Sequence, residues 1–208
     1  MTRKTVYIDM DGTIVDFQSG IDRLPDEIRA RFPGDKNIDE AEGIFGLMDP
    51  LPGAIEGVKK LAKSEKLDVY ILSTAPWLNA SAWADKLKWI QTHFGHEKDS
   101  PLYKRVILTH HKELNTGDFL IDDRKKNGAE RFNGLHIYFG EFNEEDQRDG
   151  TFPDWASVIS FFEKQGLLHD DYISTWGSDY ELEYYRGKLD GLSDDEASRR
   201  ANRALEED

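Results

Sequence analysis

Apolar positions along this chain fall into two kinds of run. Five short stretches rich in β-branched and aromatic residues stand at 5–9, 68–73, 105–109, 119–122 and 135–139. Most are continuously apolar rather than alternating, as expected of parallel strands covered on both faces. Residues at helical spacing lie between some of them. Ala54, Val58, Leu61 and Ala62 make one stripe. Trp83, Leu87, Ile90 and Phe94 make another, with Asn79 or Ser81 as its cap and Gly95 at its stop. Strands alternating with helices predict an α/β fold: an open parallel sheet of these five strands with helices on both faces.

The segment from Phe17 to Pro52 breaks this order. Ile21, Leu24, Ile28 and Phe32 are spaced 3, 4 and 4 apart and predict one helix, while Gly34, Gly43, Gly46, Pro50, Pro52 and Gly53 punctuate the rest. We read residues 17–52 as a small helical cap inserted after strand one, and residues 1–16 with 53–165 as the core. Past Gly140, Trp155, Val158, Ile159 and Phe162 form a further amphipathic helix that stops at Gly166. Residues 166–208 form an acidic C-terminal extension. It carries Tyr172, Trp176, Tyr180, Tyr184 and Tyr185, then a capping-box pattern at Ser193-Asp194-Asp195-Glu196. The stripe behind that cap is weak: Ala197, Ala201, Ala204 and Leu205. Trp77, Trp83, Trp89 and Trp155 are expected in core or helix–sheet packing.

Chemistry enters at the strand ends. The run Val6-Tyr7-Ile8-Asp9-Met10-Asp11-Gly12-Thr13 sets two carboxylates, two residues apart, at the end of a buried strand. Burying a carboxylate is costly unless it is paired or bound to a cation. The other strands end in Ser73-Thr74, in Thr109-His110-His111-Lys112 and in Asp122-Asp123-Arg124. In open α/β sheets reactive groups gather beyond the carboxyl ends of the strands. These residue types suit a phosphate monoester. Asp9 is placed to attack phosphorus and form an aspartyl-phosphate. Carboxylate oxygens favour Mg²⁺, with Asp9, Asp123 and the backbone carbonyl of Asp11 as ligands and Asp122 beside them. Asp11 would protonate the leaving oxygen and later deprotonate water. Ser73, with Thr74 next to it, and Lys112 would hold phosphate oxygens, and Gly12 lets the loop backbone approach them.

Composition narrows the setting. The 208 residues contain no Cys, so there is no disulfide frame and no thiolate metal site or nucleophile. Of the net charge of -14, residues 1–140 supply -2 (20 Lys+Arg against 22 Asp+Glu) and residues 141–208 supply -12 (7 against 19). An acidic C-terminal third argues against nucleic acid polymers as partners and reads first as a solubilising face. With no leader-like start and no apolar run of about 20 residues, a cytoplasmic protein without membrane contact is expected.

The order Asp-x-Asp-Gly-Thr, Ser-Thr, Lys, Asp-Asp resembles the haloacid dehalogenase superfamily of phosphohydrolases. The stretches Asp49-Pro50-Leu51-Pro52-Gly53-Ala54, Ile71-Leu72-Ser73-Thr74-Ala75-Pro76-Trp77, Ile107-Leu108-Thr109-His110-His111-Lys112 and Leu120-Ile121-Asp122-Asp123-Arg124 resemble the 5'(3')-deoxyribonucleotidase family, also called cytosolic type C nucleotidases. The resemblance covers roughly residues 4–140. It implies a five-stranded Rossmann-like core with a small cap, and Mg²⁺-dependent dephosphorylation of nucleoside monophosphates. It also implies that Phe17 lies near the nucleobase and Lys86 near the substrate. Read from the residues alone, Phe17 serves equally as packing at the cap hinge and Lys86 as a snorkelling structural lysine. Arg124 is expected to orient a carboxylate. Adjacent His110 and His111 lack further ligands at zinc spacing.

Two rival functions remain at this level. One is a superfamily phosphatase for a sugar phosphate or another small phosphoester, a choice that the cap decides. The other is a phospho-Asp signalling module. Receiver domains carry a similar set, but their acidic pair comes early and the phosphorylated Asp later. The expected partner is a small nucleotide, and the cap or the aromatic C-terminal stretch offers a surface for a homodimer.

Overall fold

The computed structural model describes residues 2–141, 150–168, 193, 196, 198–200 and 203. The chain divides into two compact units, residues 1–155 and 156–208. The first holds a five-stranded sheet of β1 (Lys4–Ile8), β4 (Leu67–Ser73), β5 (Val106–Leu108), β6 (Phe119–Asp122) and β7 (Leu135–Tyr138). Its order is β5-β4-β1-β6-β7 and every pairing is parallel. Each predicted strand is present, with ends within one residue of those read from the apolar runs. In the central strand, β1, Val6 and Ile8 are fully covered. On one face Tyr7, Leu72 and Leu120 pack with Ala129 and Phe132. The chain moves from β1 to β4 on one side and later returns to β6 on the other. Strand order therefore reverses at the carboxyl end of β1, where open α/β sheets leave a crevice.

A two-residue antiparallel pair, β2 (Val15–Asp16) with β3 (Asp49–Pro50), ties together the two ends of the inserted segment. Inside it the single predicted helix is two: α1 (Phe17–Asp22) and α2 (Asp26–Arg29). Pro25 lies between them and stands at the N-cap of α2. Proline has no N–H for a continuing helix and disfavours helical geometry in the residue before it. Ile21 and Leu24 are buried, as their spacing implied.

Helix α3 (Ala54–Lys63) buries Ala54, Val58 and Leu61 as predicted. Helix α4 (Ser81–Phe94) departs from the expected phase. It buries Ala82, Lys86, Trp89, Ile90 and Phe94, while Trp83 and Leu87 are 45% and 44% exposed. The inward face carries a lysine, so ranking positions by apolarity turns the helix the wrong way. The N-cap is Ala80 rather than the predicted Asn79 or Ser81, because the turn before the helix is already helical there, and the Asn79 side chain accepts the Ala82 N–H (3.3 Å) from one position outside. Of the tryptophans, Trp89 and Trp155 are buried, but Trp77 is 84% exposed and Trp83 lies on the outer face of α4.

Helix α5 (Trp155–Lys164) buries Trp155, Val158, Ile159 and Phe162. Gly166 follows it with φ +66°. At Ser193 the capping box forms: Ser193 N–H donates to Glu196 Oε2 (2.9 Å) and Glu196 N–H donates to Ser193 Oγ (3.4 Å). The aromatic residues Tyr172, Trp176, Tyr180, Tyr184 and Tyr185 and the stripe Ala197, Ala201, Ala204 and Leu205 lie outside the described residues. Among the described residues no helix is long and apolar enough to cross a membrane.

Candidate active site

Sheet pairing continues one residue past β1, because Asp9 N–H donates to Ile121 O (2.8 Å). The Asp9 carboxylate is thereby fixed by the strands. The chain then closes into a tight loop in which Ile14 and Val15 N–H both reach Met10 O and Gly12 N–H reaches Val15 O. Gly12 adopts φ +72°, a region that disfavours any side chain. A Cβ there would also stand 2.4 Å from Asp123 Oδ2. The loop can approach the acidic pair of β6 only because residue 12 has no side chain.

Two buried lysines organise the carboxylates. Lys112, on a short turn after β5, sets its Nζ 2.9 Å from Asp9 Oδ1 and 2.5 Å from Asp122 Oδ2. Lys86 comes from the inner face of α4. It donates to Asp11 Oδ2 (2.5 Å) and to Ser73 Oγ (2.9 Å) and is wholly inaccessible to solvent. On its remaining side the Phe45 ring from the inserted segment lies 4.5 Å away.

The electrostatic outcome differs between the two aspartates. Burial alone would raise both carboxyls. At Asp9 that effect is overcome by the charges of Lys112 and Lys86, and its pKa lies below the ordinary value. At Asp11 burial prevails over Lys86, the charge of Asp9 adds to it, and the pKa is raised. Asp11 Oδ1 is also buried with no hydrogen-bond partner. Asp122 is pushed up to about 7 by burial and by the charge of Asp9, although Lys112 opposes this. Lys112 is desolvated, yet Asp9 and Asp122 hold it charged. Two carboxylates share one ammonium there, so one of them remains under-compensated.

Asp9, Asp122 and Asp123, all buried, each offer a carboxylate oxygen within 4.8 Å of the others. Three buried carboxylates and a glycine-lined approach to one of them make a cradle suited to a hard divalent cation. Arg124 lies beside this cluster. Its Nε is 3.4 Å from Asp123 Oδ1 and its N–H donates to Asp122 Oδ1 (3.0 Å). Arg124 thus meets carboxylates, as expected for an orienting residue.

Asp9, Asp11, Thr74, Lys112 and Asp122 line one cleft, joined by Arg124, Lys126 and Asn127. Ser73 and Lys86 lie behind it, fully buried, and Lys86 joins Ser73 to Asp11 by donating to both. Of the adjacent hydroxyls it is therefore Thr74 that reaches the cleft, while its Oγ1 donates to Thr109 O (2.9 Å). Phe17 is not among the cleft residues; its half-buried ring packs edge-on to Phe45 at 6.0 Å.

A family model described as 5' nucleotidase, deoxy (pyrimidine), cytosolic type C protein matches residues 38–162. That span is more than half of the chain. The chain belongs to this family. A protein of Vibrio phage KVP40, whose name proposes a 5'(3')-deoxyribonucleotidase, is 48% identical over 156 residues, covering 75% of this chain and 82% of its own. The mitochondrial 5'(3')-deoxyribonucleotidase of Mus musculus is 30% identical over 192 residues, covering 74% and 84%. A Bordetella bronchiseptica protein, again with a name that proposes a 5'(3')-deoxyribonucleotidase, is 32% identical over 175 residues, covering 73% and 91%. The resemblance read from the strand-end motifs therefore holds at the level of the family.

Four residues of this type C nucleotidase-family chain lie outside what the sequence predicts for the site. Phe45 meets Lys86 from another segment, and no local pattern announces such a contact. For Trp155 the sequence predicts only packing, yet its indole N–H donates to Thr13 O in the loop that carries Asp9 and Asp11 (2.8 Å). Lys126 and Asn127 carry one signal, the turn-forming Asn127-Gly128 pair that brings them to the cleft.

Proposed function

We propose that this protein is a Mg²⁺-dependent phosphomonoesterase that hydrolyses nucleoside monophosphates, deoxyribonucleotides foremost, to nucleoside and phosphate. One observation carries the reading. Asp9 and Asp11 share a cleft two residues apart, and their surroundings drive one carboxyl below and the other above its ordinary pKa. Such divergence separates an ionised nucleophile from a protonated acid at one pH. The substrate class rests on family membership and on the names of the relatives.

In this reading an ionised Asp9 oxygen attacks phosphorus. The bond from phosphorus to the leaving oxygen breaks, and Asp11, through its unpartnered Oδ1, gives that oxygen its proton. The aspartyl-phosphate is then hydrolysed. Asp11 takes a proton from water as the water oxygen attacks phosphorus, the bond to Asp9 breaks, and phosphate leaves. Lys112 and Thr74 face the phosphate, while Ser73 anchors Lys86 against Asp11. Asp9, the Asp11 carbonyl and Asp123, with Asp122 adjoining, would hold Mg²⁺. When bound, it supplies the positive charge that lets a phosphate dianion enter among carboxylates.

The test is phosphate release from 5'- and 3'-(deoxy)nucleoside monophosphates and from sugar phosphates, with Mg²⁺ and with EDTA. Turnover concentrated on deoxynucleotides and abolished by EDTA is expected. Turnover of sugar phosphates alone would keep the chemistry and overturn the substrate. Turnover undiminished by EDTA would overturn the metal.

A further inference from the structure

Three of the residues that line the cleft in front of Asp9 and Asp11 are cations: Lys112, Arg124 and Lys126. Two of these are engaged. Lys112 bridges Asp9 and Asp122, and Arg124 faces Asp123. Lys126 is exposed and has no acidic partner among the described residues. Its backbone is nevertheless well anchored. Lys126 O accepts the Ala129 N–H (3.0 Å), and Asn127 O accepts the Lys112 N–H (2.8 Å). Asn127 itself takes a left-handed turn with φ +52°. The peptide that carries Lys126 is thus tied to the residue whose side chain holds Asp9, and an unengaged ammonium is kept on the open side of the cleft.

An approaching phosphate dianion needs such a group. Four aspartates, Asp9, Asp11, Asp122 and Asp123, crowd the cleft and its wall in a chain of net charge -14. The remaining cations already serve those carboxylates. A rim cation would offset the repulsion at entry and raise the local concentration of anions.

We propose that Lys126 is a substrate-binding residue whose ammonium takes the outward-facing phosphate oxygens of the phosphomonoester. It contributes to capture and affinity rather than to bond breaking. The inference rests on the phosphomonoesterase reading above. Lys126→Ala and Lys126→Arg would be assayed with Mg²⁺ across a salt series, and each titrated calorimetrically with inorganic phosphate. For Lys126→Ala, KM should rise about tenfold, the scale of one exposed charge-assisted hydrogen bond, while kcat falls less than about twofold. The salt dependence of kcat/KM should flatten, inorganic phosphate should bind more weakly by a similar factor, and Lys126→Arg should recover most of each loss. Unchanged KM, salt response and phosphate affinity would overturn the proposal, as would a loss confined to kcat. A wild-type protein that binds phosphate through Lys126 yet turns over no nucleotide would overturn the nucleotide reading and support this one.

Discussion

Lys112 and Lys86 are both buried lysines set against carboxylates, yet they build unlike centres. Lys112 follows β5 and serves two carboxylates, Asp9 and Asp122, that end two neighbouring strands. Lys86 comes from the middle of α4 and serves one, Asp11, with a hydroxyl and an aromatic ring completing its surroundings. The Lys112 centre holds Asp9 ionised, whereas the Lys86 centre leaves Asp11 tending to keep its proton. A buried lysine does not by itself fix the state of its partner. The count of neighbouring charges of each sign, weighed against burial, decides it.

The sharpest way to break this comparison is to remove each carboxylate charge in turn. Asp9→Asn deletes the proposed nucleophile and should lower kcat at least about 10⁴-fold, the scale seen when a nucleophile is lost. Asp11→Asn keeps the shape and removes a proton donor, so kcat should fall about 10²- to 10⁴-fold. Phosphate release under single-turnover conditions measures both. Equal losses would mean that the two aspartates act as one unit rather than in two roles.

The next effect is on stability. Lys86→Met leaves Asp11 buried without its cation, and breaking a buried pair costs about 3 kcal/mol. Asp11→Asn added to Lys86→Met should recover most of that cost at pH values where the lone carboxyl would otherwise ionise, because the amide carries no charge to strand. Urea unfolding of the single and double variants tests this. Additive losses would show that Lys86 is held by packing against Phe45 and not by Asp11.

The same contrast explains what could be read before any coordinates. Groups of the Lys112 centre sit at strand ends, where short apolar runs close on Asp9, Asp122 and Lys112. The five-stranded fold and most of the cleft followed from that alone. Lys86 is a polar residue on the buried face of an amphipathic helix, so its direction ran against the apolar pattern, and Trp83 and Leu87 drew the stripe to the wrong side. Phe45 and Trp155 reach the site from 41 residues before Lys86 and 142 residues after Thr13. Contacts of that kind depend on tertiary packing and leave no local periodicity. Ile21 to Phe32 misled in the opposite way: the spacing was helical, but Pro25 interrupts it.

A smaller effect separates the two centres by pH. His136 on β7 borders the Lys112 centre, with its Nε2 3.4 Å from Asp122 O. Burial pushes its pKa down to about 4, and the charge of Lys112 acts in the same direction. The folded state thus disfavours the protonated ring. The stabilising contribution is complete above the unfolded value near 6.5 and is lost as pH falls from there toward 4. In EDTA, wild type should lose about 2 kcal/mol more than His136→Phe between pH 7 and pH 4, a figure reduced because the ring is only partly buried. Denaturant unfolding at these pH values gives the difference. Parallel acid limbs would place the acid sensitivity in the carboxylates instead.

The smallest expected effect concerns the loop that joins the centres. The Trp155 indole N–H supplies a hydrogen bond to Thr13 O, and Leu51 N–H holds the neighbouring Ile14 O (2.8 Å). Trp155 packs so closely on Gly57 that a Cβ there would lie 2.4 Å from its ring, so the indole has little room to shift. Trp155→Phe keeps an aromatic ring but leaves the buried Thr13 carbonyl without that donor, at a cost of about 1 to 2 kcal/mol. Leu51 still holds the loop, so kcat should fall by less than about fivefold. Thermal unfolding and phosphate release on one preparation read both quantities. A loss of kcat as deep as that of Asp11→Asn would mean that the loop backbone, rather than the lysines, keeps Asp9 and Asp11 in their separate states.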